Sequence, residues 1–317
     1  MWHGVYLPKN PILVQEKLFS VKRGENVFQI GKRLEEEGFI KDRFFFNLYV
    51  LAKGAQKNLQ AGEYLLGPHL SVKEIAQLII SGRVAKVKIT IPEGWRAEEI
   101  GDYLERKGII SQAQDFYGKE SPLWQKDFSE EFDFLKDKPK ALSLEGYLFP
   151  DTYYLTPGMI PEEIIRMMLK NFDTKLTQEL REEIKRQGKT IFEIVTMASL
   201  LEKEVKTKEE KELVAGILWK RLKVGMPLQV DATITYITRK KTTKISIEET
   251  KIDSPYNTYK YPGLPLGPIS NPGLESIMAT IYPKESEFWY YLSTPEGETI
   301  FSKTLEEHNI AKAKYLK

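Results

Sequence analysis

Apolar side chains recur at helical spacing between residues 191 and 225, and one carboxylate interrupts the pattern. Ile194, Val195, Ala198, Leu201 and Val205 share one helical face. Glu202 falls inside this apolar stripe, whereas Glu204 points to nearly the opposite side. The pattern therefore predicts a helix in which, of these two glutamates, only Glu202 is buried.

A buried carboxylate has two interpretations. Loss of water raises the pKa of a carboxyl group unless a cation compensates, and a raised pKa suits a general acid that works near neutral pH. Helical spacing is equally compatible with a structural carboxylate that pairs with a buried Arg or caps a neighbouring element. The charged run 206–212 reads as a solvated face or a connection, after which helical spacing resumes and ends at Gly225.

The first half of the chain contains an internal repeat with an offset of seventy residues. Gly24, Gly31 and Gly38 correspond to Gly94, Gly101 and Gly108, with apolar positions matching between them. Each copy predicts a strand, a turn, a short helix that ends at glycine, and a second helix. A weaker internal similarity relates the segment that begins at Ala61 to the segment that begins at Asp151. Each of them predicts a strand followed by an amphipathic helix.

These patterns predict an α+β fold in which small α/β modules precede a larger mixed α/β domain. We expect an extended lead-in over residues 1–13, where Pro8 and Pro11 oppose helix. The main boundary is predicted near Val84 and a softer one near Lys140, which gives segments 14–84, 85–140 and 141–317.

The last ninety residues change character. Residues 228–237 predict either a strand or the start of a helix, and residues 254–273, rich in Pro and Gly, predict a structured loop without long regular elements. Residues 288–302 predict a β-hairpin, and residues 304–316 a closing helix.

Composition excludes several classes of partner and of reactive site. Lys and Arg total 47 against 45 Asp and Glu, a net charge of +2, which argues against a nucleic-acid partner. The absence of cysteine excludes disulfides, thiol nucleophiles and Cys-ligated metals, and three scattered histidines favour neither a metal site nor a Ser-His-Asp triad. Carboxylates and aromatic side chains remain as the reactive groups, and no metal or cofactor is predicted.

Three polar clusters are candidates to meet Glu202 in one cleft. They contribute eight candidate substrate-binding residues: Glu145, Tyr147, Asp151, Tyr153, Gln229, Asp231, Tyr256 and Asn257. Amides, hydroxyls and flat aromatic faces together suit a carbohydrate. Taken singly, Asp151 also reads as a turn residue, Asp231 as a helix cap and the tyrosines as packing.

Several motifs together resemble the MltG-type (YceG-like) endolytic murein transglycosylases. They are LEGYLFPDTYYL, MASLLEKEV, VAGILWKRLKVGMPLQVDATITY, SPYNTY with GLPLGPISNPG, and SKTLEEHN, in family order and spacing. The resemblance covers the chain from about Gly24. It implies a LysM-like module in 14–84 and a catalytic domain with a central buried helix in 141–317.

The resemblance also implies an activity and its setting. The first Glu of the E-K-E segment, here Glu202, corresponds to the catalytic acid that cuts peptidoglycan glycan strands internally and leaves 1,6-anhydro-N-acetylmuramic acid ends. It implies cell-wall synthases as partners and no nucleic acid. Family members open with a single membrane helix that this sequence does not contain. We therefore expect an anchor upstream and a catalytic domain outside the cytoplasmic membrane.

The sequence differs from the family pattern at two positions beside Asp231, and it leaves two alternative functions open. Val230 and Ala232 replace the small polar residue and proline that many relatives carry beside the aspartate, which weakens the role of Asp231. A hydrolytic muramidase would need a second carboxylate, for which Glu145 or Asp151 is the candidate. A non-catalytic peptidoglycan-binding scaffold would tolerate loss of the Glu202 carboxylate.

Overall fold

The computed structural model describes residues 2–13, 15–82, 86–118, 121, 123, 126–240 and 245–316. Helices and small two-stranded sheets alternate, which confirms the predicted α+β class. The chain divides into two compact units. The first comprises Met1–Ile89, Leu104–Ser111 and Tyr153–Ile160; the second comprises Thr90–Tyr103, Gln112–Thr152 and Pro161–Lys317. The boundary predicted at Val84 lies outside the described residues, and the three-segment division stays a prediction.

The predicted extended lead-in is wrong for the first residues of the chain. A short helix, α1, spans Trp2–Tyr6, and Val5 is buried. Pro8 disfavours helical geometry at the residue before it, so it limits where this helix can end without preventing it from forming.

The first unit opens with a strand–helix–helix–strand arrangement. Strand β1 (Lys17–Val21), helices α2 (Val27–Glu36) and α3 (Arg43–Ala52), and strand β2 (Gly62–Leu66) lead into α4 (Val72–Ser81). The two strands pair antiparallel with Phe19 opposite Tyr64, and both side chains are fully buried. Capping boxes at Asn26 and Ser71 begin α2 and α4, because each side chain satisfies an orphan backbone N–H.

The repeat seen in the sequence is present as structure. The second copy has the same order of elements, and its two strands form a two-stranded sheet: β3 (Val87–Thr90), α5 (Ala97–Arg106), α6 (Gln114–Tyr117), β4 (Thr152–Leu155) and α7 (Pro161–Lys175). β3 and α5 begin seventy residues after β1 and α2. The matched turn glycines, Gly24 and Gly94, have φ of +87° and +75°, values that L side chains rarely adopt.

Helices dominate the second unit. They include α8 (Gln178–Arg186), α9 (Ile191–Glu204), α10 (Lys208–Lys223), α11 (Asp231–Thr238) and α12 (Leu274–Ile281). All eight residues from position 194 to 201 of α9 are buried, and α9 packs against α10, α11 and α12. Capping boxes at Thr190 and Thr207 start α9 and α10, so part of the charged run 206–212 is helical.

The C-terminal region resolves the remaining predictions. Residues 231–238 form a helix, and residues 254–273 form turns without a helix or strand. The predicted hairpin is present as β5 (Tyr290–Ser293) paired antiparallel with β6 (Thr299–Ser302), and α13 (Leu305–Tyr315) starts at a Thr304 capping box. Among the described residues, no helix has the length and apolar character needed to cross a bilayer.

Candidate active site

Glu202 lies on the last turn of α9 and is almost completely enclosed. Its side chain is 8% exposed, which confirms the predicted burial. Oε2 accepts hydrogen bonds from the Gly273 backbone N–H at 2.9 Å and from the Ser276 hydroxyl at 2.7 Å. Gly273 is the N-cap of α12, so the carboxylate also lies at the positive end of that helix.

A buried cation accompanies this carboxylate. Lys211 on α10 is 3% exposed at its side chain, and its Nζ lies 3.5 Å from Glu202 Oε1 and 3.3 Å from Glu275 Oε2. Of the two interpretations that the sequence left open, pairing with a buried cation is therefore present in the structure, with Lys211 as the partner.

The prediction that only Glu202 of the two glutamates is buried is wrong. Glu204 is half-buried on the other side of α9, where its Oε2 accepts from the Tyr291 hydroxyl at 3.0 Å. Burial, reinforced by the negative charge of Asp231, raises the pKa of Glu204 to about 7. The two faces of α9 near its C-terminus therefore each hold an enclosed carboxylate, because the loops after the helix cover both of them.

Glu145 ties together the loops that flank the site. Its Oε1 accepts from the Ala97 backbone N–H at 3.0 Å and from Asn271 Nδ2 at 2.9 Å, and burial raises its pKa to about 7. Asn271 Oδ1 in turn accepts from the N–H groups of Gly146 and Leu148. Glu145, predicted to contact substrate, is thus buried, and its Oε1 is bonded within the protein to Ala97 and Asn271.

The neighbouring predicted residues have separate surroundings. Tyr147 is fully buried, and its ring lies 5.4 Å from that of Phe172. Asp151 accepts from Asn171 Nδ2 at 3.0 Å, and this hydrogen bond lowers its pKa. Tyr153 is buried within the first unit, whereas Glu202 belongs to the second. Packing against the core explains why these aromatic positions have little surface for a ligand.

The structure brings the Q-x-D and SPYNTY segments together. The Gln229 N–H donates to the Thr258 carbonyl at 3.0 Å, and the Tyr259 hydroxyl donates to Asp231. Gln229 has φ of +53° and both it and Asp231 are exposed. Asn257 is buried, and its amide bonds to the carbonyls of Thr250 and Ile252, so it shapes the loop.

An aromatic pair lies beside the same loops. The rings of Tyr236 and Tyr256 are 4.9 Å apart, and the Arg96 guanidinium lies 5.2 Å from the Tyr236 centroid. Both tyrosines are half-buried. Arg96 belongs to the segment that begins with Glu93 and Gly94, next to Glu202, so aromatic surface and carboxylate share one supporting loop.

Sequence reasoning missed several residues around Glu202. Lys211 had a readable signal, because it falls on the buried stripe that Val214, Ala215 and Leu218 form on α10. Gly273, Ser276 and Glu93 gave none, since they come from loops and helix ends far from Glu202 in sequence. Among the described residues, no group of three or more acidic or His side chains is arranged to hold a metal ion.

Comparison with known proteins identifies the family. The profile of the YceG-like family matches residues 19–314. The chain belongs to the YceG-like family. The Listeria monocytogenes YceG-like protein, known from a 2.6 Å crystal structure, is 32% identical, with a TM-score of 0.64 over 94% of this chain and 99% of that one.

Two curated relatives in this family carry a functional name. The Bacillus subtilis strain 168 protein, named endolytic murein transglycosylase, is 34% identical over 94% of this chain and 84% of its own length. A Streptococcus pneumoniae strain D39 protein of the same name is 31% identical over 92% of this chain. The chain spans 56% of the length of that streptococcal relative.

Proposed function

We propose that this protein is an endolytic murein transglycosylase, a lyase that cuts the glycan strands of peptidoglycan internally. The observation that carries the proposal is the environment of Glu202 within this family. The enclosed carboxylate of Glu202 lies on a well-packed helix, where it accepts hydrogen bonds from Gly273 and Ser276 and pairs with Lys211. Hydrogen bonds and ion pairs of this kind hold a catalytic side chain in a productive geometry.

The proposed reaction breaks the β-1,4 bond between N-acetylmuramic acid and N-acetylglucosamine. Glu202 gives a proton to the glycosidic oxygen, and the muramic acetamido group stabilises the oxocarbenium-like charge. Glu202 then takes the proton of the muramic C6 hydroxyl, whose oxygen bonds to C1 and closes the 1,6-anhydro ring. Atoms and protons balance without water, which separates this reaction from hydrolysis.

Substrate contacts are proposed from the accessible members of the predicted set. Gln229 and Asp231 are exposed at the start of α11, and half-buried Tyr256 offers part of its ring. Hydroxyl groups of a sugar suit the amide and carboxylate, and its C–H face suits the ring. Glu145, Tyr147, Asp151, Tyr153 and Asn257 are proposed to act indirectly, by shaping the elements around the site.

The remaining proposals concern the setting of the enzyme. The β1–α2–α3–β2 unit has the strand–helix–helix–strand order expected of a LysM-like module, and we propose that role for it. Attachment to the bacterial cytoplasmic membrane, an extracytoplasmic site and contact with cell-wall synthases are proposed from the family alone.

The test is product analysis with a charge-neutral variant. Purified glycan strands are incubated with the wild type, Glu202→Gln and Glu193→Gln, and soluble products are identified by mass spectrometry. Glu193 is a control because it serves the capping box at the other end of α9. We expect 1,6-anhydro ends from the wild type and the control and none from Glu202→Gln. Near-native turnover by Glu202→Gln would remove Glu202 from the role, and reducing ends would indicate a hydrolase.

A further inference from the structure

Glu93 is an exposed residue in the turn between β3 and α5, and its carboxylate lies against Gly273. A Cβ added to Gly273 would lie 1.8 Å from Glu93 Oε1. The φ of Gly273 is −74°, which any residue adopts, so backbone freedom does not explain a glycine here. The Glu93 carboxylate occupies the space that a side chain at position 273 would need.

The same glycine contacts the Glu202 carboxylate. The Gly273 N–H donates to Glu202 Oε2, and a Cβ on Gly94, the residue after Glu93, would lie 3.3 Å from Glu202 Cγ. Glu93 and Glu202 therefore meet at the N-terminus of α12. The Glu202 side chain is enclosed, whereas Glu93 is exposed.

The two carboxylates have contrasting partners. Glu202 accepts hydrogen bonds from the Gly273 N–H and the Ser276 hydroxyl, and its carboxylate lies near the Lys211 ammonium group. Partial burial and the charge of Glu202 raise the pKa of Glu93, with Lys211 opposing and Glu275 reinforcing this effect.

We infer that Glu93 is a second working carboxylate of this site, which shares with Glu202 the one proton that lytic cleavage uses. This inference rests on the proposed function. The glycosidic oxygen takes that proton from the pair as the bond to muramic C1 breaks. The C6 hydroxyl oxygen then bonds to C1 and returns its proton to the pair, so the pair regains its starting charge.

The first experiment compares the wild type, Glu93→Gln and Glu296→Gln in the anhydro-product assay across pH 5 to 9. Glu296 is a control because it is an exposed carboxylate on the β5–β6 turn. We expect Glu93→Gln to lower kcat by about 100-fold, the scale of one acid–base group, and to alter the pH profile. A kcat and a pH profile like those of the wild type would overturn the inference.

A second variant displaces the Glu93 carboxylate without changing Glu93 itself. Gly273→Ala keeps the N–H that serves Glu202 but displaces Glu93, so we expect a loss of kcat. In a Glu93→Ala background the obstacle is gone, and adding Gly273→Ala should change kcat less than twofold. An equal loss in both backgrounds would mean that Gly273 acts independently of Glu93 and would count against the inference.

A titration separates this inference from the proposed function. Carboxyl NMR of the intact protein follows Glu93 in the wild type and in Glu202→Gln, and we expect its pKa to fall in the variant because the neighbouring charge is removed. An unchanged pKa would overturn the pairing whatever reaction occurs. Reducing-end products that require Glu93 would refute the lytic function while supporting Glu93 as the second carboxylate.

Discussion

Glu202 and Glu204 are two residues apart on α9, both are enclosed, and their surroundings differ. Glu202 has a buried ammonium group and two hydrogen-bond donors, whereas Glu204 has one tyrosine hydroxyl and the nearby negative charge of Asp231. Burial alone therefore does not decide how a carboxylate behaves. The neighbouring groups that α10, α12 and the C-terminal hairpin supply distinguish the two carboxylates.

The largest effect that distinguishes the two regions is expected from Lys211→Met. Removing one partner of a buried ion pair leaves the other charge uncompensated, so the free energy of unfolding should fall by about 3–5 kcal/mol. Urea unfolding at pH 7 measures this. Lys208→Met is the matched control, because its ammonium group is exposed and its pair with half-buried Glu212 should contribute less than about 1 kcal/mol. Similar losses for both variants would mean that Lys211 does not compensate Glu202.

Glu204→Gln is expected to change how stability depends on pH. The pKa of Glu204 is about 7 in the folded protein, against about 4.3 in the unfolded chain, so the folded state holds more protons between these values. The free energy of unfolding therefore falls as pH rises through this window, by on the order of 3–4 kcal/mol from Glu204. The variant should lose that share of the slope in urea unfolding at pH 4.5 to 8.

Glu145 should contribute to the same pH dependence of stability and is unchanged in the Glu204→Gln variant. Burial also raises its pKa to about 7, so its share of the slope should persist in Glu204→Gln. If the slope of the variant matches that of the wild type, then Glu204 is charged throughout the range and the contrast with Glu202 disappears.

Ser276→Ala should have a smaller effect, and mainly on catalysis. It removes a 2.7 Å hydrogen bond to Glu202, for which we expect kcat to fall by about tenfold and stability by about 1–2 kcal/mol. Thr280→Val is the control, since it removes a buried hydroxyl of the same helix that donates to the Ser276 carbonyl and not to Glu202. A loss of kcat in Thr280→Val as large as that in Ser276→Ala would point to a general effect on α12.

Tyr291→Phe should have the smallest effect and leave turnover unchanged. It removes the hydroxyl that donates to Glu204, at a cost of about 1 kcal/mol in unfolding free energy. Because that hydrogen bond opposes the pKa rise of Glu204, the variant should shift the pH-dependent loss of stability to higher pH. A loss of kcat as large as that of Ser276→Ala would mean that the surroundings of Glu204 contribute to catalysis as those of Glu202 do.

The sequence predicts the helices and most of their caps because local periodicity and cap residues determine them. The stripe around Ala198 gives α9 its buried face, and the seventy-residue repeat predicts β3 and α5. It does not predict the partners of Glu202. Gly273 and Ser276 lie about seventy residues away along the chain, and no local pattern encodes which loop closes over which helix.

The burial of Glu204 was missed for a related reason. Helical phase assigns it to the face opposite the stripe, but a loop and a hairpin cover that face as well. The loop residues 254–273 are predicted as structured from their prolines and glycines, while the internal bonding of Asn257 depends on carbonyl groups that composition does not reveal.

The paired turn glycines have an evolutionary consequence. A Cβ on Gly24 would meet no atom within 4 Å, whereas one on Gly94 would crowd Glu202, although both glycines share the same backbone conformation. If the repeat arose by duplication, the first copy records what the turn needs in order to fold. In the second copy Glu93 stands in place of Arg23 and the turn lies against Glu202, so comparing the two copies separates what the turn needs in order to fold from what its contact with Glu202 requires.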